Sequence, residues 1–388
     1  MNVLKSRISF LSICLMVVVL ISSTLACGTQ QNVEEEINKI MEEYDTVGLS
    51  VAVVKDNEII YTKAFGLKDI ENDVALSSED VFRIASISKS FTTTSMMQLI
   101  EQGKASLDDD VSDLVGFKVR NPEFPNTVIT LKMLLSHSSS INDSNGYFTL
   151  DVINPAVNKD WAKSYTNVEP GSAYDYCNLC YNMAGAIIER KSDVRFDNYV
   201  KENILDPLNL YGGFLADVLD SSKFAQIYNV DVETGEASHS PSAYSINRKR
   251  FDNYILGYSA PTLSPTGGMK ISVPDLAKYM MMHMNKGTSE GVEIMSAKSA
   301  DAMQSEVIEM YPLSSYGLAL RTVEDLIPGE TLKGHTGSAY GLYSSMFFHP
   351  EKKYGMVVIT NGSKNISTGE YNSLLAPVNN LLYKHFIE

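Results

Sequence analysis

Phe82-Arg83-Ile84-Ala85-Ser86-Ile87-Ser88-Lys89 is followed by Phe91, Ser95, Leu99 and Ile100 at helical spacing and by a stop at Gly103. The pattern predicts a helix whose start carries a serine and, three residues on, a lysine. Positions three apart share a helix face, so the Ser86 hydroxyl and the Lys89 amine come within hydrogen-bond reach. A serine hydroxyl is a poor nucleophile until a neighbouring base takes its proton, and an amine in a partly desolvated cleft is such a base. The helix N-terminus adds a partial positive charge. Pairs of this kind arise by chance, but this is the only serine three residues before a lysine in the chain.

Working outward, 388 residues with 44% hydrophobic content supply a substantial core, in two ordinary domains or one two-lobed one. Residues 1–26 read as a secretory signal: Lys5 and Arg7, an apolar run from Ile8 to Ile21, then Ser22-Ser23-Thr24-Leu25-Ala26. That run is short for a membrane span, so the expected mature chain is exported without a transmembrane helix. Cys27 after Leu25-Ala26 resembles the lipobox of bacterial lipoproteins, although Thr24 and Leu25 depart from its usual residues and simple cleavage after Ala26 stays open. Acylation would anchor the chain to a membrane, facing the periplasm or the cell exterior. A net charge of −15 argues against nucleic acid as a partner. Of four cysteines, Cys177 and Cys180 lie beyond the leader, too few for a closed zinc site; they read as small packing residues on one helix. Asp108-Asp109-Asp110 with Asp113 lacks the glycine and terminal Glu of a calcium loop and reads as a solvated helix start. Neither a metal nor a cofactor is expected.

The fold follows from where strand patterns fall. Leu49 to Val54, a polar Lys55-Asp56-Asn57 turn, and Glu58 to Ala64 read as a hairpin. After Leu107 helical periods and polar loops take over, with helices at Met183 to Arg190 and Phe196 to Leu205. Strand patterns return at Tyr316 to Arg321, Leu332 to Thr336, Leu342 to His349 and Met356 to Thr360, before a last amphipathic helix at Ser373 to Phe386. The expectation is a two-lobed α/β (α+β) fold: an antiparallel sheet flanked by helices, built from both chain ends, with an all-helical lobe inserted at about 105–265. Residues 27–45 would be a tether and first helix, and 46–388 the catalytic domain.

Two further motifs carry chemistry. Tyr176-Cys177-Asn178, after Glu169-Pro170-Gly171, presents a phenol at a helix entrance, where it can carry a proton beside an amide that binds a carbonyl and the lysine. Gly334-His335-Thr336-Gly337-Ser338 lies on a predicted strand whose glycines let a ligand approach, so that the Ser338 N–H and the Ser86 N–H could hold an oxyanion.

Ser-x-x-Lys, Tyr-x-Asn and His-Thr-Gly in this order resemble the serine β-lactamase and penicillin-binding protein superfamily. Within it they look like the branch of class C β-lactamases, D-Ala-D-Ala carboxypeptidases, D-aminopeptidases and related esterases. The likeness extends to Leu134-Leu135-Ser136-His137-Ser138-Ser139-Ser140, Pro207-Leu208-Asn209-Leu210, Thr266-Gly267-Gly268-Met269 and Asp275-Leu276. It implies Ser86 as acylated nucleophile, Lys89 as its activator, Tyr176 as proton carrier and Asn178 as ligand of the substrate carbonyl. The substrate would lie along His335, Thr336 and Gly337, and Ser86 and Ser338 would form the oxyanion hole. Arg321 sits where related carboxypeptidases grip a terminal carboxylate; the alternative is an arginine at a strand end, solvated or paired with Glu324 or Asp325. Class C enzymes carry Lys-Thr-Gly where this chain has His335-Thr336-Gly337, which moves the reading toward the carboxypeptidase, D-aminopeptidase or esterase relatives; the expected substrate is a small peptide, a β-lactam or an ester. A penicillin-binding or sensing module without turnover is the reading of another class.

Overall fold

The computed structural model describes residues 32–245, 248–368 and 371–388, and the leader with Cys27 lies outside them. Residues 32–43 form the first helix, α1. The expected hairpin follows as β1 (Gly48–Lys55) and β2 (Glu58–Asp69). Its turn residues, Asp56 and Asn57, have φ of 53° and 67°, the left-handed pair that a tight hairpin demands and that Asp and Asn tolerate. Then come β3 (Val74–Ala75), β4 (Phe82–Arg83) and α2 (Ser88–Glu101). The middle of the chain contributes α3 (Asn178–Ser192), β5 (Gly212–Gly213), β6 (Lys270–Ile271) and α4 (Val273–Met284). The last part supplies β7 (Ile308–Tyr311), β8 (Ser314–Tyr316), β9 (Arg321–Val323), β10 (Leu332–Ala339), β11 (Leu342–His349), β12 (Tyr354–Gly362) and α5 (Leu375–Phe386).

The main sheet has nine strands in the order β7-β8-β9-β10-β11-β12-β1-β2-β3, antiparallel throughout. Its centre joins the two ends of the chain: β1 pairs with β12, Val51 opposite Val358. Side chains alternate across a strand, so β1 serves two cores. Leu49, Val51 and Val53 pack with Val33 and Ile37 of α1 and with Leu375, Val378 and Leu382 of α5. Ala52 and Val54 face the other way, into the core that contains Phe91, Leu99 and Tyr279. A sheet covered on both faces explains why β1 and β12 read as continuous apolar runs.

Helix α2 is buried almost all round, including Ser88, Lys89, Ser90, Thr92, Thr93, Thr94 and Ser95. Hydroxyls in such a place need acceptors, and carbonyls supply them: Thr92 to Pro265 at 2.8 Å, Ser90 to Ile87 at 2.8 Å and Ser95 to Phe91 at 3.0 Å. The helix stops as its sequence implies, with Gly103 at φ 71°. Asp110, in the acidic run, caps the short helix Val111–Val115 by accepting from Ser112 N.

Two expectations about elements are corrected. Tyr316 to Arg321 is not one strand: β8 ends at Tyr316 and β9 begins at Arg321. Between them the chain turns back, with Gly317 N bonded to Leu320 O, Leu318 N to Met303 O, and Ala319 at φ 64°. Gly317 is packed too closely against the Met303 and Ser305 carbonyls for a side chain. The inserted lobe is helical and 3₁₀-helical for the most part but also holds a hairpin, Tyr228–Val230 with Ala237–His239. Its turn is closed by the Asp231 side chain and by Gly235 at φ 74°. Among the described residues no helix is long and apolar enough to cross a membrane.

Candidate active site

Ser86 stands in a single 3₁₀ turn, Ala85–Ile87, at the entrance to α2, with Ala85 forced to φ 46°. A positive φ on a residue with a Cβ is strained, and it sits beside the proposed nucleophile. Tyr176 OH lies 2.7 Å from Ser86 Oγ and Lys89 Nζ lies 3.0 Å from it. The lysine is fully buried. Its amine has two more partners, Asn178 Oδ1 at 3.0 Å and the Thr266 carbonyl at 3.0 Å. It lies over the faces of Tyr176 and Tyr181, 4.7 and 5.5 Å from their centroids. Burial drives the Lys89 pKa well below its ordinary value, with the charge of Asp143 pulling weakly the other way. Burial likewise raises the Tyr176 phenol, against a smaller lowering by its bond to Ser86.

Asp143 escaped the sequence reading, since an isolated acid in a polar loop carries no signal. Its Oδ2 accepts from Asn178 N at 3.0 Å and Asn178 Nδ2 at 2.8 Å, and its Oδ1 accepts from Leu179 N at 2.9 Å. A carboxylate on the first N–H groups of α3 satisfies donors that no helical carbonyl reaches. It also fixes the Asn178 amide, so that Oδ1 faces Lys89 and accepts from Thr266 Oγ1 at 2.7 Å. Thr266, read only as framework, is therefore part of the site.

Cys177 and Cys180 are not independent packing residues: they form a disulfide at the start of α3, between and beyond Tyr176 and Asn178. Both are fully buried, and their spacing in sequence brings the Cα atoms to 5.4 Å, within disulfide range. His137, at φ 58°, accepts from Cys177 N at 3.0 Å and packs under the rings of Tyr176, Tyr181 and Tyr316. Burial keeps this imidazole neutral.

Strand β10 forms the opposite wall. β9 pairs with it only from Leu332 to Gly334, so among the described residues the edge from His335 onward has no strand on that side. Gly337 passes so close to Ser86's turn that a Cβ there would lie 2.3 Å from Ile84 O and 2.4 Å from Ser344 Oγ. His335 is buried and neutral, its Nε2 3.0 Å from Tyr316 OH and its Nδ1 against Thr336 O. Burial first, then the charges of Lys89 and Arg321, depress its pKa. Arg321 is not the solvated arginine of the alternative reading: it is 5% exposed and donates to Thr336 Oγ1 at 3.2 Å. Ser86, Tyr176, Asn178, Arg321, His335, Thr336, Gly337 and Ser338 all line one cavity of about 670 Å³, with Lys89 beneath its floor. Among the described residues no group of His, Cys, Asp or Glu is placed to hold a metal ion.

This fold, with a serine, lysine and tyrosine joined between a sheet edge and a helical lobe, defines a class, and comparison with known proteins specifies it. A family model described as Beta-lactamase matches residues 33–376, and the chain belongs to that family, in the serine β-lactamase and penicillin-binding protein superfamily. Among its relatives, Protein flp of Staphylococcus aureus (strain N315) is 24% identical over 350 residues, 87% of this chain; the chain spans 64% of that relative's length. Penicillin-binding protein 4 of Amycolatopsis lactamdurans is 27% identical, over 85% of this chain and 84% of the relative. The solved octameric penicillin-binding protein homologue from Pyrococcus abyssi superposes with a TM-score of 0.72 at 30% identity, covering 91% of this chain and 77% of the other.

Proposed function

We propose that the protein is an exported serine hydrolase working through an acyl-enzyme on Ser86. The observation that carries this reading is the pair of contacts on Ser86 Oγ, Tyr176 OH at 2.7 Å and Lys89 Nζ at 3.0 Å. A neutral amine has two N–H groups and one lone pair. Asn178 Oδ1 and the Thr266 carbonyl are both acceptors and take the two N–H groups, which leaves the lone pair for the Ser86 hydroxyl. The phenol then donates to Ser86 Oγ, and every hydrogen bond is satisfied with both Lys89 and Tyr176 neutral. Desolvation favours the same state. On this account Lys89 is the base. Ser86 Oγ attacks the substrate carbonyl carbon as its proton passes to Lys89 Nζ. The Ser86 and Ser338 N–H groups hold the oxyanion. Tyr176 gives its proton to the leaving amine or alcohol as that group's bond to carbon breaks and regains one from the Lys89 ammonium; water then attacks the Ser86 ester, giving a proton to neutral Lys89, which returns it to Ser86 Oγ as the acid leaves.

For the substrate we favour a small cell-wall-type peptide with a free C-terminus, cut as a D-Ala-D-Ala carboxypeptidase would cut it. Arg321 beside Thr336 on the cavity wall supports this, since a guanidinium matches a carboxylate by two parallel hydrogen bonds. An esterase or D-aminopeptidase is the second reading, favoured by the neutral His335 where class C enzymes carry a lysine. We also propose that Cys27 is acylated and anchors the protein to a membrane; Cys27→Ser should then release it or block its maturation.

The test is intact-mass analysis after exposure to β-lactams, D-Ala-D-Ala peptides and short-chain esters. An adduct on the wild type, absent from Ser86→Ala, is expected; labelling that persists in the mutant refutes the assignment. Arg321→Ala should depress hydrolysis of the peptide far more than that of a neutral ester. An equal loss on both transfers the reading to the esterase.

A further inference from the structure

On the far flank of Ser86 from Arg321 a separate three-stranded sheet, in the order β4-β6-β5, sets two basic side chains face to face. β4 pairs with β6, and the register sets Arg83 directly opposite Lys270. Cross-strand like charges are destabilising unless something compensates, and burial first, then Arg83, pushes the Lys270 pKa well below its ordinary value. What compensates within the chain is neutral: Arg83 Nε donates to Gly267 O at 2.9 Å and Nη1 to Ala243 O at 3.0 Å, while Lys270 Nζ donates to Phe214 O at 2.5 Å. Among the described residues neither forms an ion pair, and the acid nearest Lys270 by its electrostatic effect, Asp217, is engaged by Arg248 at 2.7 Å.

Both basic side chains line a side cavity of about 270 Å³ that shares Arg83, Phe148, Ser264 and Tyr340 with the main one. Arg250 lines it as well and lies over the Phe148 ring, 5.8 Å from its centroid. In a chain of net charge −15, no Asp or Glu among the described residues lines either cavity. The Arg83 guanidinium is held in place by Tyr340, 5.0 Å from its ring centroid. Tyr340 in turn sits at the tip of the β10–β11 hairpin, where it and Gly341 have φ of 59° and 105°. Strand β10 runs from the Arg321 end toward this tip. A substrate laid along its free edge, with its carbonyl over Ser86, has one flank near Arg321 and the other near Arg83.

We propose that the annex formed by Arg83, Lys270 and Arg250 binds a carboxylate carried on the acyl portion of the substrate. The guanidinium fork and flat aromatic stack suit a planar anion, and the small volume suits a short chain rather than a polyanion. The inference rests on the acyl-enzyme reading for its orientation, and it names the substrate class: acyl groups that end in an acid.

The experiment compares p-nitrophenyl hydrogen suberate with its methyl ester, a pair alike in length and differing in charge. Wild type should favour the anionic ester by at least about ten-fold in kcat/KM, with the preference shrinking as salt rises. Arg83→Gln should bring the ratio close to unity, and Arg250→Gln, at an exposed residue outside the core, should lower it several-fold. Calorimetry of both esters on Ser86→Ala reads anion binding without turnover, so an inactive enzyme sinks the hydrolase reading while this arm still decides the annex. Equal binding of the two esters there, or a wild-type ratio that both arginine variants leave untouched, overturns the proposal.

Discussion

The carboxylate of Asp143 grips Asn178 twice with one oxygen, Oδ2 accepting the backbone N–H at 3.0 Å and the side-chain amide at 2.8 Å. The first bond starts α3 and the second sets which end of the amide Lys89 meets. Asp143→Ala should therefore cost about 1 to 3 kcal/mol of stability, the usual result of stranding buried donors. It should also remove the charge that partly offsets the burial of Lys89, letting that amine's pKa fall further. If neutral Lys89 is the base, the rising limb of the pH profile for Ser86 acylation moves to lower pH in the variant. A limb that stays put would mean the charge of Asp143 does not govern the lysine.

Lys89 and Tyr176 share one hydroxyl, so they should act as a unit. The Lys89→Ala/Tyr176→Phe double variant should acylate little more slowly than the slower single one. In the wild type the rising limb should lie far below the ordinary lysine range, because burial has moved Lys89 down. Additive losses in the cycle, or a limb near the ordinary lysine value, would count against shared proton transfer.

Much of this was legible from one sequence. The hairpin at Leu49 to Ala64, the strand from Leu342 to His349 and the terminal helix rest on local patterns, alternation and turn residues, and they appear where those patterns put them. Ser86, Lys89, Tyr176 and Asn178 were found through short motifs whose members the fold brings within hydrogen-bond distance. What stayed hidden depends on contacts between distant segments. Asp143 acts on α3 from another loop, Thr266 reaches Asn178 across the lobe boundary, and Arg83 meets Lys270 only through strand pairing. The break between β8 and β9 was missed because Gly317 to Leu320 is apolar for docking against Met303 and Leu135, not for pairing in the sheet. The disulfide was misread because a pair of cysteines three apart in a helical pattern looks like packing.

Three buried imidazoles, His137, His283 and His335, predict acid lability. Burial lowers each, His283 to about 3. Below the ordinary histidine value of 6.5 the unfolded chain takes up protons that the folded chain refuses. Each group then erodes stability by about 1.4 kcal/mol per pH unit, until pH falls through its folded value. Urea midpoints measured from neutrality downward should drop steeply, and His283→Leu, distant in sequence from the catalytic motifs, should flatten the slope. A midpoint insensitive to pH across this range would contradict the burial of all three.

Gly337→Ala tests the contact between β10 and the nucleophile's turn. The added methyl would meet Ile84 O and Ser344 Oγ, both held by surrounding structure and linked to each other at 3.1 Å. Overpacking of this kind costs about 1 to 3 kcal/mol and is relieved by moving the strand outward. Acylation should fall by far more than the melting point suggests, since Ser338 moves with Gly337. Full activity in the variant would show that the strand's distance from Ser86 is not critical.

The pairing of β1 with β12 bears on how the molecule is made. Ser86 lies in the first quarter of the chain, yet its turn packs on Gly337 and the sheet behind it closes only when Tyr354–Gly362 docks beside Gly48–Lys55. During synthesis, which proceeds from the N-terminus, β1 carries one bare edge until nearly all residues have emerged. Its unpaired N–H and C=O groups are a template for wrong partners throughout that interval. A chain released gradually therefore presents Ser86 long before the sheet behind its turn can close, and the cavity wall is completed only when Tyr354–Gly362 arrives.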